Sequence, residues 1–159
     1  APMRSAYKIL AYAICALVAI QAALMAWAVS GLATFLEDGG VLDLTSDGPP
    51  PFPEVFGVIL HGLSGMYLIP LLAVVLVIFG LLTKVPGAAV RAVIVLGLVA
   101  LQVTLGLMGH GFTFAALLHG LNALVLFTAA LYAGVWMSRR PTVADQDAAA
   151  TPKPMASGI

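Results

Sequence analysis

The sequence predicts an all-α integral membrane protein: an up-down four-helix transmembrane bundle, N-in and C-in, made of two pseudo-repeated helical hairpins. Three observations predict it. The 159 residues are 62% hydrophobic and only 9% charged, and the mean hydropathy is +1.07. A soluble domain has roughly 45–50% apolar and about 25% charged residues. Four apolar runs each reach the ~20 residues that span a bilayer. Finally, the charges are sorted along the chain in the pattern that a four-pass topology requires.

The first run is about Ile9–Ala33, the second about Val55–Thr83, the third about Ala88–Met108 and the fourth about Phe112–Met137. In hydrocarbon a backbone must satisfy its own hydrogen bonds, so each run is expected to be a helix. The first is longer than a signal-peptide core and is expected to be retained. Pro70 removes an amide donor within the second run and should kink it there. The links Lys84–Gly87 and Gly109–Gly111 are short, which makes the helices they join antiparallel neighbours. Residues 1–140 thus form one four-helix transmembrane domain with an outer loop at 34–54. Residues 141–159 are rich in Ala, Pro and Thr and read as a disordered cytoplasmic tail.

With both termini cytoplasmic, all seven basic residues (Arg4, Lys8, Lys84, Arg91, Arg139, Arg140, Lys153) fall on the inner side. Five of the seven acids (Glu37, Asp38, Asp43, Asp47, Glu54) fall in the outer loop. Tyr7 and Trp136 suit the inner interface. The Pro-rich stretch from Asp47 to Pro53 is stiff, and reads either as a cap on the outer mouth or as a tether. The few basic residues form no patch for nucleic acid. Cys15, the single cysteine, excludes an intrachain disulfide and any CxxC motif; it reads as a small buried hydrophobe rather than a reactive thiol.

Two segments carry the chemistry. Leu60-His61-Gly62-Leu63-Ser64-Gly65 recurs as Leu118-His119-Gly120-Leu121-Asn122-Ala123. An ionisable residue inside a membrane segment is costly and usually has a partner. The preceding helices carry Gln21 and Gln102, so each half reads as a glutamine helix followed by a histidine helix. His61 and His119 fall about 9–10 Å below the outer helix ends at 1.5 Å per residue. Helices 2 and 4 are diagonal in such a bundle, with axes on the order of 13 Å apart. That span predicts that the imidazoles do not touch, and suits two rings reaching a metal from opposite faces of a flat macrocycle.

Gly65 and Ala123, with Gly57 and Ala115, provide clearance on those faces. Ser64 and Asn122, three residues after each histidine, are candidates to orient the rings. The competing readings of the pair are hydrogen bonding between helices and proton or quinone handling. A zinc, calcium or magnesium site lacks ligands at this depth. His110, in the outer turn, and Glu54, two turns before His61, are candidates for the pocket mouth; an ordinary turn residue and an interfacial acid are the alternatives. Gln21 and Gln102 read either as helix–helix contacts or as donors to a ring or quinone.

One histidine in helix 2 and one in helix 4, both near the outer face, resembles one four-helix half of the haem A synthase family. The resemblance covers about Ile9 to Met137 and carries over His61 and His119 alone. The Leu118-His119-Gly120-Leu121-Asn122-Ala123 stretch, with Gln102 before it, is also similar to small bacterial four-helix membrane proteins of unassigned function. Gly57 and Val58 stand where the synthase family has an acid.

The expected function is therefore a b-type haem protein with bis-histidine ligation in a bacterial plasma membrane. It would serve electron transfer or a respiratory complex, with membrane lipid, other membrane subunits or a second copy, and a quinone as expected partners. The alternatives are an accessory subunit of a respiratory or transport complex without haem, and a haem-modifying enzyme related to the synthases.

Overall fold

The computed structural model describes residues 2–43 and 48–141. It is helical throughout its regular elements: α1 (Pro2–Glu37), α2 (Val55–Leu82), α3 (Ala88–Met108) and α4 (Thr113–Ser138). Each is long and apolar enough to cross a membrane. The ends of α2, α3 and α4 fall within a residue of the expected boundaries. By contrast, α1 runs seven residues earlier and four later than its apolar stretch, because helical hydrogen bonding continues once the side chains become polar. The expected tail, 142–159, and part of the Pro-rich stretch, including Asp47, lie outside the described residues.

Consecutive helices pack on one another, and α4 closes on α1. The contacts between α1 and α2 run in opposite senses: Gly31 meets Glu54, Ala28 meets Gly57 and Gln21 meets Gly65. Between α3 and α4, Gly109 meets Ala116 and Gly106 meets His119. The charges separate to opposite ends. At the basic end an Arg4 Nη1–H donates to the Pro141 carbonyl (2.6 Å), and the Arg91 guanidinium lies 3.8 Å from the Trp136 ring centre. Arg140 covers the same indole at 4.5 Å. The loop end holds Asp38 and Glu54 beside Phe35 and Phe52, whose rings are 5.3 Å apart. The Pro-rich stretch thus returns Phe52 onto the end of α1.

Tyr7 and Trp136 are buried between the helices near the basic end. Each finds the partner that a buried polar aromatic needs: the Tyr7 hydroxyl donates to the Ala88 carbonyl (3.1 Å), while the Trp136 indole face receives arginine. Tyr7→Phe is expected to lower stability by about 1 kcal/mol, the net value of one hydrogen bond. Thermal unfolding in detergent would measure it.

Pro70 does not interrupt α2. The preceding turn, Ser64–Leu68, is π-helical, and the Ile69 amide donates to the Ser64 carbonyl five residues back. A π turn absorbs one extra residue within a helix. This one lets both Ser64 and Ile69 face the bundle, although α-helical spacing would call for a separation of three or four. Past it, Ile69, Ala73, Leu76 and Gly80 are buried at ordinary helical intervals.

The contiguous core lies toward the basic end. It is built from Tyr7 to Val18, Ile69 to Val85, Ala88 to Val99 and Leu126 to Met137. Its small residues permit close helix approach, the usual basis of association in membranes. Buried positions of α1 recur in α3 at a constant offset of 81 residues: Tyr7, Ala11, Ile14 and Val18 match Ala88, Ala92, Val95 and Val99. Toward the loop end the fully buried positions thin out to Gln21, Ala28, Gly31, Gly57, Ala115 and Asn122.

Candidate functional site: a paired glutamine–histidine layer

At the boundary between these two regions lies a polar layer. The offset that relates α1 to α3 also relates Gln21 to Gln102. His61 and Ser64 of α2 correspond in turn to His119 and Asn122 of α4. The contacts repeat with the sequence. His61 Nδ1 lies 3.3 Å from the Gln21 backbone carbonyl, and His119 Nδ1 lies 2.9 Å from that of Gln102. A carbonyl oxygen only accepts, so each imidazole carries its proton on Nδ1 and leaves a lone pair on Nε2. That is how a metal-binding histidine is commonly oriented, with its distal N–H on a backbone carbonyl.

The two half-buried rings meet across the bundle. Their centres are 5.9 Å apart and their planes 60° apart. The expectation that diagonal helices would keep them from touching is corrected. It counted the distance between axes and neglected that each imidazole projects several ångströms towards the middle.

The two halves differ at Nε2. A Gln102 side-chain N–H donates to Nε2 of His119 (3.1 Å). Asn122 Nδ2 fixes that amide by donating to Gln102 Oε1 (2.7 Å) and to the Leu98 carbonyl (3.0 Å). Asn122 therefore orients His119 through Gln102 rather than directly. In the other half Gln21 Nε2 donates to the Ser64 hydroxyl (2.5 Å), which itself donates to the Leu60 carbonyl. The hydrogen bonds of Ser64 thus go to Gln21 and Leu60 rather than to His61. Gln21 Oε1 is buried without a partner, and Nε2 of His61 receives no hydrogen bond from a described residue.

The remaining candidates fall as follows. A Cβ on Gly65 would face Gln21 Oε1 at 3.6 Å, so Gly65 borders the layer. Ala123 packs against the core. Gly57 belongs to the α1–α2 contact, and Ala115 is buried. Glu54 lies against Gly31 of α1 and lines a cavity of about 260 Å³ with Trp27, Phe35, Asp38 and Phe52. It is therefore at the loop end of the bundle. His110 is exposed in the α3–α4 turn.

Sequence reasoning missed two contributors. The first is the pair of glutamine main-chain carbonyls, which no side-chain pattern announces. The second is Gly106, where a Cβ would stand 3.1 Å from His119 Cε1 and 3.2 Å from Nδ1. Glycine one turn after Gln102 was the available signal. Gly106→Ala is expected to displace the ring and weaken its bond to the Gln102 carbonyl while the fold persists. Imidazole ¹⁵N NMR of His119 and circular dichroism would check both.

The spacing of the two rings matches what an iron held between them would require. Two metal–nitrogen bonds of about 2 Å, plus roughly 1 Å from each nitrogen to its ring centre, separate coordinating imidazoles by about 6 Å. Both Nε2 atoms are in the required protonation state, although the Gln102 amide must give up its bond to His119. Among the described residues no three His, Cys, Asp or Glu side chains converge. Any metal here would therefore draw two ligands, both imidazoles, from these residue types. No family model, curated protein or solved structure matches the chain.

Proposed function

We propose that this chain is a multi-pass protein of a bacterial plasma membrane that holds haem b between His61 and His119. The four helices form an up-down bundle of two copies of one hairpin. The basic end is cytoplasmic, as the positive-inside rule requires. The observation that supports the reading is the repeated hydrogen bond from imidazole Nδ1–H to glutamine carbonyl, made by two rings whose centres lie 5.9 Å apart. Haem held by the two imidazoles would supply one-electron transfer rather than oxygen binding. The glutamine carbonyls fix the tautomers, and the apolar helices around them exclude water. A quinone, a respiratory complex or a second copy of the chain would supply the redox partner.

The test is an absorption spectrum of the detergent-purified protein after expression with ample haem. A sharp Soret band and a reduced-minus-oxidised α band are expected. A colourless protein of full helical content overturns the reading. One observation favours a second reading, a haem-free accessory subunit: His119 is already satisfied at both nitrogens by Gln102. That reading expects a colourless protein that co-purifies with a larger assembly.

A further inference from the structure

The two histidines share a tautomer but not an availability. Nε2 of His119 is engaged by the Gln102 amide at 3.1 Å. The amide cannot turn away freely, because Asn122 holds Gln102 Oε1 at 2.7 Å and is itself anchored on the Leu98 carbonyl. Gly106 lets the ring lie against α3, within reach of both Gln102 groups. Nothing equivalent acts on His61: Gln21 turns its amide to Ser64, and Met25 stands where the 81-residue offset would place a counterpart of Gly106.

We propose that Gln102 competes for the Nε2 lone pair of His119, so that His61 is the permanent ligand of the bound group and His119 the exchangeable one. This rests on the haem reading above and adds a regulated side to it. When the Gln102 amide holds His119, the face towards α4 is open to a small neutral ligand with a free lone pair, such as carbon monoxide or imidazole. When the amide turns away, His119 closes that face. Gln102 is a positioning residue: it acts through His119.

The experiment uses the haem-loaded full chain in detergent and compares the native protein with Gln102→Met, His61→Ala and His119→Ala. Carbon monoxide is titrated into the reduced protein and imidazole into the oxidised one, each followed by the Soret shift. Gln102→Met keeps the length of the side chain and removes its donor. It is expected to strengthen His119 ligation by about five- to tenfold, the effect of losing one competing hydrogen bond, and to raise the concentration of either ligand at half-saturation by that factor. His119→Ala is expected to keep its haem in a high-spin, ligand-accessible form, whereas His61→Ala loses it.

Unchanged half-saturation in Gln102→Met, in a protein with a bis-histidine spectrum, overturns the inference and leaves the haem reading standing. Should Gln102→Met not insert, equal haem loss from the two alanine variants does the same. If neither the native protein nor any variant takes up haem, both ideas fall.

Discussion

With haem held as proposed, His61→Ala is expected to abolish the Soret and α bands of haem-supplemented protein while leaving helical content and melting temperature close to native. The two halves of this expectation come from different contacts. The spectral loss follows from removing the one imidazole whose Nε2 has no competing donor. The small stability change follows from how little His61 contributes to the fold. It is half-buried and makes one hydrogen bond, at 3.3 Å to the Gln21 carbonyl. Such a bond contributes about 1 kcal/mol or less, and the carbonyl it leaves is an ordinary main-chain acceptor within α1. His119 makes two bonds, at 2.9 and 3.1 Å, so His119→Ala should cost the haem-free protein more. A structural role alone therefore ranks His119 above His61. Ligation with an exchangeable His119 ranks them the other way in haem retention. Melting curves recorded with and without haem separate the two orders.

Gly57→Leu is expected to have the largest effect on folding. A Cβ at this position would stand 2.5 Å from the Leu24 carbonyl oxygen and 3.1 Å from the Ala28 Cβ. The first of these is main chain, so no rotamer change relieves the overlap; α1 and α2 must move apart. Overpacking a close contact typically costs about 1–3 kcal/mol, and separating two backbones while placing four carbons between them exceeds that. Gly57→Ala should fall within that range. Yield of monodisperse protein and thermal unfolding in detergent would report both variants. The α1–α2 contact also carries the bond from His61 to the Gln21 carbonyl, so the same variant should disturb the site from one turn away.

The four helices were legible because hydrocarbon leaves the backbone no alternative, and apolar run length reports the helix directly. The site was legible in its titratable residues. His61 and His119 stand out as polar interruptions of apolar runs, and Gln21 and Gln102 mark the partner helices. Geometry was legible only to the precision of helix axes, which is why the ring contact was missed. The roles given to Ser64 and Asn122 rested on i+3 proximity. In the fold each reaches across to a glutamine on the adjacent helix, because an interhelical partner offers a side chain whose hydrogen bonds are not already taken by helical pairing. Glu54 was a candidate for the pocket mouth on helical phase alone; its close packing on Gly31 of α1, which helical phase does not announce, holds it at the loop end. A kink was expected in α2 at Pro70; what the run of apolar residues did not announce is the π turn just before it.

That π turn bears on how the chain arose. Before it, α2 corresponds to α4 at an offset of 58 residues: Gly57 with Ala115, His61 with His119, Ser64 with Asn122. After it the offset is 57: Ile69 with Leu126, Ala73 with Ala130, Leu76 with Ala133, Gly80 with Met137. On the two-copy reading the first hairpin has gained one residue between Ser64 and Ile69, or the second has lost one, since the halves diverged. The mismatch was absorbed within a single turn, so neither the histidine level nor the core shifted register. A chain shortened by one residue in this turn should therefore return to a plain α-helix with every inward-facing position preserved, whereas the same deletion in an ordinary α-helical turn would rotate the residues beyond it by about 100°.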